Sequence, residues 1–93
     1  MRFEHLTLLV VAALLAGCTS TSKAYCKKKE ECNYLFGKSL AECTEDKQKY
    51  LDGLNSGQRA DCEKSANNCI DKQSCSDFTT CLTQITDCPG GTF

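Results

Sequence analysis

Nine cysteines in a chain of 93 residues constrain this protein more than any other feature. An odd number of thiols cannot all pair within one chain, so at least one cysteine needs a different fate. From Cys18 onward the chain holds five Leu, two Ile, three Phe and no Val, 10 of 76 residues. So low a share reads as disorder unless covalent staples supply the missing stability. Disulfides contribute roughly 2–4 kcal/mol each, so a few of them match the net stability of a small domain. The charge balance of 11 basic against 12 acidic side chains leaves no basic excess with which to hold nucleic acid.

The odd cysteine is found at the end of an apolar run. Met1 to His5 carries Arg2 and Glu4, and Leu6 to Gly17 then forms an uncharged stretch of 12 residues. As a helix that stretch reaches about 18 Å, short of the roughly 30 Å hydrocarbon core, so a membrane span is not expected. Length and charge fit a secretory signal instead. Its last residues, Leu15, Ala16 and Gly17 followed by Cys18, form a sequence that resembles the lipobox of bacterial lipoproteins. The resemblance implies a diacylglyceryl group on the Cys18 thiol, cleavage before it by a dedicated signal peptidase that recognises Leu15, Ala16 and Gly17, and a new amino terminus open to acylation. It further implies a cell-envelope location. Thr19 stands where Asp commonly favours inner-membrane retention, which directs the expectation to the outer membrane of a didermal cell. One acyl chain holds a protein marginally and two or three hold it stably, so the membrane is an expected partner through this anchor.

Eight cysteines then remain: Cys26, Cys32, Cys43, Cys62, Cys69, Cys75, Cys81 and Cys88. Four disulfides are expected in an oxidising compartment. The spacings contain no Cys-x2-Cys or Cys-x4-Cys knuckle, and the one histidine, His5, lies in the signal segment, so zinc and thioredoxin-like grammars are missing. The boundaries expected are a signal peptide at 1–17, the lipidated cysteine and a polar tether at 18–24, a Cys-rich domain at 25–88 and a flexible tail at 89–93.

The pattern within 25–88 predicts an all-α, disulfide-stapled domain of about four short helices in antiparallel hairpins. Tyr25, Cys32, Leu35 and Phe36 share a helical face, with Gly37 as the stop. Ser39 and Glu42 form a capping-box pattern before Leu40, Cys43, Tyr50 and Leu54, with Lys47 a polar intrusion on that face. Ser56 is a candidate cap for a helix through about Lys72 with Cys62, Ala66, Cys69 and Ile70 inside. Ser74 or Ser76 is a candidate cap for another, carrying Cys75, Phe78, Cys81, Leu82 and Ile85. No segment alternates with period two, so strands are not expected.

Cysteines six or seven apart in one helix lie about 9–10 Å from each other, so bridges must cross turns. Symmetry about the turns suggests Cys32–Cys43, Cys62–Cys81, Cys69–Cys75 and Cys26–Cys88 among the 105 pairings that eight cysteines allow. The spacings depart from the twin Cys-x9-Cys or Cys-x3-Cys of disulfide-stapled helical hairpins and contain no adjacent Cys-Cys or Cys-x-Cys, so no family is assigned to the domain from its sequence.

Catalysis is not expected: with no histidine after the signal and the thiols oxidised, the usual general bases and nucleophiles are missing. Glu45 with Asp46, and Asp61 with Glu63, read as solvated charges, and Lys27, Lys28 and Lys29 as an exposed helix face near the headgroups. Phe93 reads as a frayed end, and most other rings are needed inside. The expected function is therefore a membrane-anchored envelope lipoprotein with a non-catalytic interaction domain. Its partner is an unidentified envelope protein, without cofactor, metal or small-molecule substrate. A lipid-tethered inhibitor or immunity factor and a freely secreted effector or toxin are the alternatives.

Overall fold

The computed structural model describes residues 19–90 and Phe93. The signal segment 1–17, with Leu15, Ala16 and Gly17, and the lipidation site Cys18 lie outside the described residues, as do Gly91 and Thr92. Four α-helices follow one another with no strand among the described residues: α1 (Thr21–Glu31), α2 (Leu40–Asp52), α3 (Ser56–Ile70) and α4 (Cys75–Thr83). The all-α, disulfide-stapled architecture expected from the sequence is present.

Each helix begins where a short polar side chain satisfies the first backbone N–H groups. The Ser20 hydroxyl accepts from the Lys23 N–H at 3.2 Å. Ser39 and Glu42 close the expected capping box. Asn55, one residue before the expected Ser56, forms another with Gln58. Ser74 accepts from the Asp77 N–H at 3.0 Å. The cap at Ser20 shortens the tether expected to run to residue 24: Thr21 and Ser22 are buried helix residues, and Ser22 donates to Gln48 of α2 at 3.1 Å. The far end of α1 also differs from expectation. Asn33 turns left-handed at φ 59°, which ends the helix before Leu35 and Phe36. These two lie in the connection to α2 rather than on a helical face.

α1 packs against both α2 and α3, and α3 packs against α4. The core contains Tyr25, Leu51, Ala66, Phe78 and Phe93, together with six half-cystines. Sulfur thus supplies more core residues than hydrocarbon does, as the apolar inventory requires.

All eight cysteines of the domain are paired, but not as the turn symmetry suggested. The bridges are Cys26–Cys43, Cys32–Cys75, Cys62–Cys88 and Cys69–Cys81. The expected Cys32–Cys43, Cys62–Cys81, Cys69–Cys75 and Cys26–Cys88 are therefore replaced throughout. Helix periodicity gives the reason. At about 100° per residue, cysteines six apart point about 120° away from one another, whereas those seven apart share a face. Cys26 and Cys32 consequently address different neighbours, α2 and the start of α4. Cys75 and Cys81 divide in the same way between α1 and α3. Cys62 and Cys69 share one face of α3, and their partners Cys88 and Cys81 run antiparallel to it. The hairpin logic holds for this half, displaced by one cysteine along the chain.

Candidate functional site

The eight bridged cysteines form structural staples, and of the carboxylates singled out in the sequence Glu45, Asp46 and Glu63 stand in surface pairs while Asp61 is exposed. Asp46 meets Lys38 at 2.7 Å, Glu45 meets Lys49 at 3.5 Å, and Glu63 meets Arg59 at 3.1 Å. Exposed pairs of this kind contribute little to stability. The Lys27–Lys29 run does not act as a unit. Lys28 donates to the Lys72 carbonyl at 2.7 Å, Lys29 lies over the Tyr25 ring at 5.5 Å, and Lys27 is exposed. No helix among the described residues is long and apolar enough to cross a membrane.

Two aromatic groups stand out once the helices are in place. The first is interior. Phe93 packs edge-on against Tyr25 at 4.6 Å between ring centroids and against Tyr50 at 6.1 Å, and Tyr25 in turn tilts against Phe78 at 6.0 Å. The Phe93 main-chain oxygen accepts from Lys47 Nζ at 3.0 Å and from Tyr25 Oη at 3.4 Å. Tyr50 Oη donates to the Pro89 carbonyl. The frayed end expected at Phe93 is thus corrected: the residue is 6% exposed because two tyrosines and a lysine leave a place for it.

Lys47, a polar intrusion in the sequence, proves to be the organising cation of this group. Its ammonium lies 5.5 Å from the Tyr25 centroid and 5.9 Å from that of Phe93. Burial, then repulsion from Lys29 and Lys38, holds its pKa below the ordinary lysine value. Burial likewise pushes the Tyr25 hydroxyl above its ordinary value.

The second group is exterior. Between α1 and α2 the chain places Tyr34, Leu35 and Phe36 on a short connection. Tyr34 and Phe36 lie nearly parallel, with centroids 6.4 Å apart and a 20° interplanar angle. Phe36 is 86% exposed and is the one large hydrophobic residue so exposed among the described residues. Asn33, Phe36 and Gly37 all have positive φ, at 59°, 50° and 88°. For Phe this backbone region carries a cost of about 1–2 kcal/mol. The connection is nevertheless held at both ends. The Cys32–Cys75 bridge fixes its start, and the Lys38–Asp46 pair and the Ser39 cap fix its finish.

Beneath the rings is an open cavity of about 220 Å³, onto which Lys29, Lys38 and Lys47 face with Asp46. Lys38 is matched by Asp46, while neither Lys29 nor Lys47 has an ion-pair partner among the described residues. Positive charge is therefore in excess among the side chains that line this cavity, beside the exposed Phe36 ring. The glycine at position 37 was the available sequence signal that the helix ends here, but the left-handed Asn33 ends it earlier.

Comparison with known proteins finds no match to this chain among protein-family models, curated proteins or solved structures.

Proposed function

We propose that this protein is a bacterial envelope lipoprotein, anchored through Cys18, whose folded part is a non-catalytic, disulfide-stabilised interaction domain. The observation that supports this most is the sulfur count. Of nine cysteines, the eight from Cys26 to Cys88 are consumed by one another in four bridges, which leaves only Cys18 outside the network. Cys18 is also the cysteine that follows Leu15, Ala16 and Gly17 at the end of the apolar run. Disulfides persist in oxidising compartments, which agrees with export. α1 begins at Thr21, so the domain starts three residues beyond the proposed anchor.

The rigid, cross-linked scaffold suits binding, because little conformational freedom remains to be lost on association. The ion-paired and solvated carboxylates Asp46, Glu45 and Glu63 offer no buried acid–base pair.

Intact mass, palmitate labelling and detergent-phase partitioning of protein from envelope preparations test the reading. The expected product begins at Cys18, carries acyl mass, enters the detergent phase and contains four disulfides. Cys18→Ser should abolish labelling and leave the four bridges intact. A water-soluble product without acyl mass would overturn the assignment.

A further inference from the structure

We propose that the connection carrying Tyr34, Leu35 and Phe36 is a docking loop for an anionic lipid surface, seating the domain against the same membrane that holds its anchor. This rests on the anchoring reading for the position of the loop, and on the loop's own chemistry for its ligand.

Position comes first. Thr21 follows Cys18 by three chain steps, a reach of at most about 11 Å, and the 11 residues of α1 extend about 16 Å to the loop. The start of the loop, at Cys32, therefore lies within about 30 Å of the proposed anchor residue, so a domain lying with α1 along the surface brings both to the bilayer. Chemistry favours the same occupant. Phe36 presents its ring to solvent, stacked on the half-buried Tyr34, and Lys29, which has no ion-pair partner among the described residues, lines the cavity behind them. Aromatic rings settle at the headgroup level of bilayers, and lysines near an anionic surface are attracted to it.

The construction of the loop supports a function as well. Phe36 is held at a left-handed φ of 50° while the residue is 86% exposed, so the backbone cost is offset by little burial within the domain. Strain that the surrounding structure maintains is found at functional sites. Here a disulfide, an ion pair and a helix cap maintain it.

The chain contains no tryptophan, so Phe36→Trp introduces a single reporter into the lipidated protein. With vesicles of phosphatidylcholine and phosphatidylglycerol, its emission should shift to the blue and be quenched by brominated acyl chains. The effect should weaken in pure phosphatidylcholine and in high salt. Lys29→Gln in the same background should lower the ratio of docked to undocked signal about five-fold. Co-sedimentation with vesicles reads the anchor separately. Protein that sediments while its tryptophan keeps a water-exposed spectrum overturns the docking loop and leaves the anchor standing. Protein that does not sediment overturns the anchor and the loop placement with it. A shift that grows with protein concentration in the absence of lipid assigns the loop to a second copy, and one that needs added envelope protein assigns it to a protein partner. Either result overturns the proposal.

Discussion

Phe36 and Phe93 are the same side chain next to glycine-bearing segments of the same lean chain, yet one is 86% exposed and the other 6%. Phe93 has ring contacts with Tyr25 and Tyr50, and its main-chain oxygen is taken by Lys47 and Tyr25. Phe36 has one neighbouring ring, Tyr34, and a backbone locked between the Cys32–Cys75 bridge and the cap of α2. The difference teaches that in a core built largely from half-cystines, a ring is buried only where the cross-links leave it a place. Hydrophobicity alone does not decide.

The largest effect expected concerns the cross-links that create this contrast. Full reduction should unfold the domain, seen as loss of the helical circular dichroism signal. A cooperative melt persisting in strong reductant would break the argument. Among single bridges, Cys32→Ala with Cys75→Ala opens a loop of 43 residues and should cost about 4 kcal/mol. Removal of Cys69–Cys81, which spans 12, should cost about 3 kcal/mol. Urea denaturation of the two double variants compares them directly.

The contrast itself is tested next. Phe93→Ala should destabilise the oxidised protein by about 3–4 kcal/mol, as a buried ring does, whereas Phe36→Ala should change stability by no more than about 0.5 kcal/mol. Equal losses would remove the distinction between the two regions. A smaller pair of effects sharpens it. Gly37 has φ 88° with open space around its Cα, so Gly37→Ala should cost about 1 kcal/mol through the backbone alone. Phe36→Asn places a residue that tolerates the left-handed region at φ 50° and should gain about 0.5 kcal/mol while abolishing lipid docking.

The smallest effect is in alkaline solution. Lys47 titrates in the folded chain below its ordinary 10.5, so between its folded and unfolded values the unfolded state binds more protons. Stability should therefore rise as pH climbs through that interval, and Lys47→Met should remove the rise. Tyr25 opposes it. Its hydroxyl is raised above 10.0 by burial, so its contribution is present below 10.0 and lost as pH rises through the folded value. Tyr25→Phe should remove that loss, and urea midpoints across the alkaline range distinguish the two residues.

What was legible from the residues alone was local. Ser39 with Glu42, and Ser74 before Cys75, mark helix starts because a cap and its backbone partner lie three residues apart. The absence of period-two alternation and the poverty of large aliphatic residues were enough to predict helices that depend on sulfur. The pairing of that sulfur was partly legible too: six-residue separations at Cys26–Cys32 and Cys75–Cys81 divide the faces, and the seven-residue separation at Cys62–Cys69 keeps one. Symmetry about the turns was the wrong guide, because it ignored the direction in which each cysteine leaves its helix.

Only the tertiary structure decided which faces meet. That α1 lies between α2 and α3 sends Cys26 to Cys43, and the placing of its end beside α4 sends Cys32 to Cys75. The inward turn of Phe93 and the outward turn of Phe36 have the same origin. Periodicity and capping act over three or four residues, whereas Tyr25 and Phe93 are 68 residues apart in the chain. A contact at such separation exists only after the helices have docked.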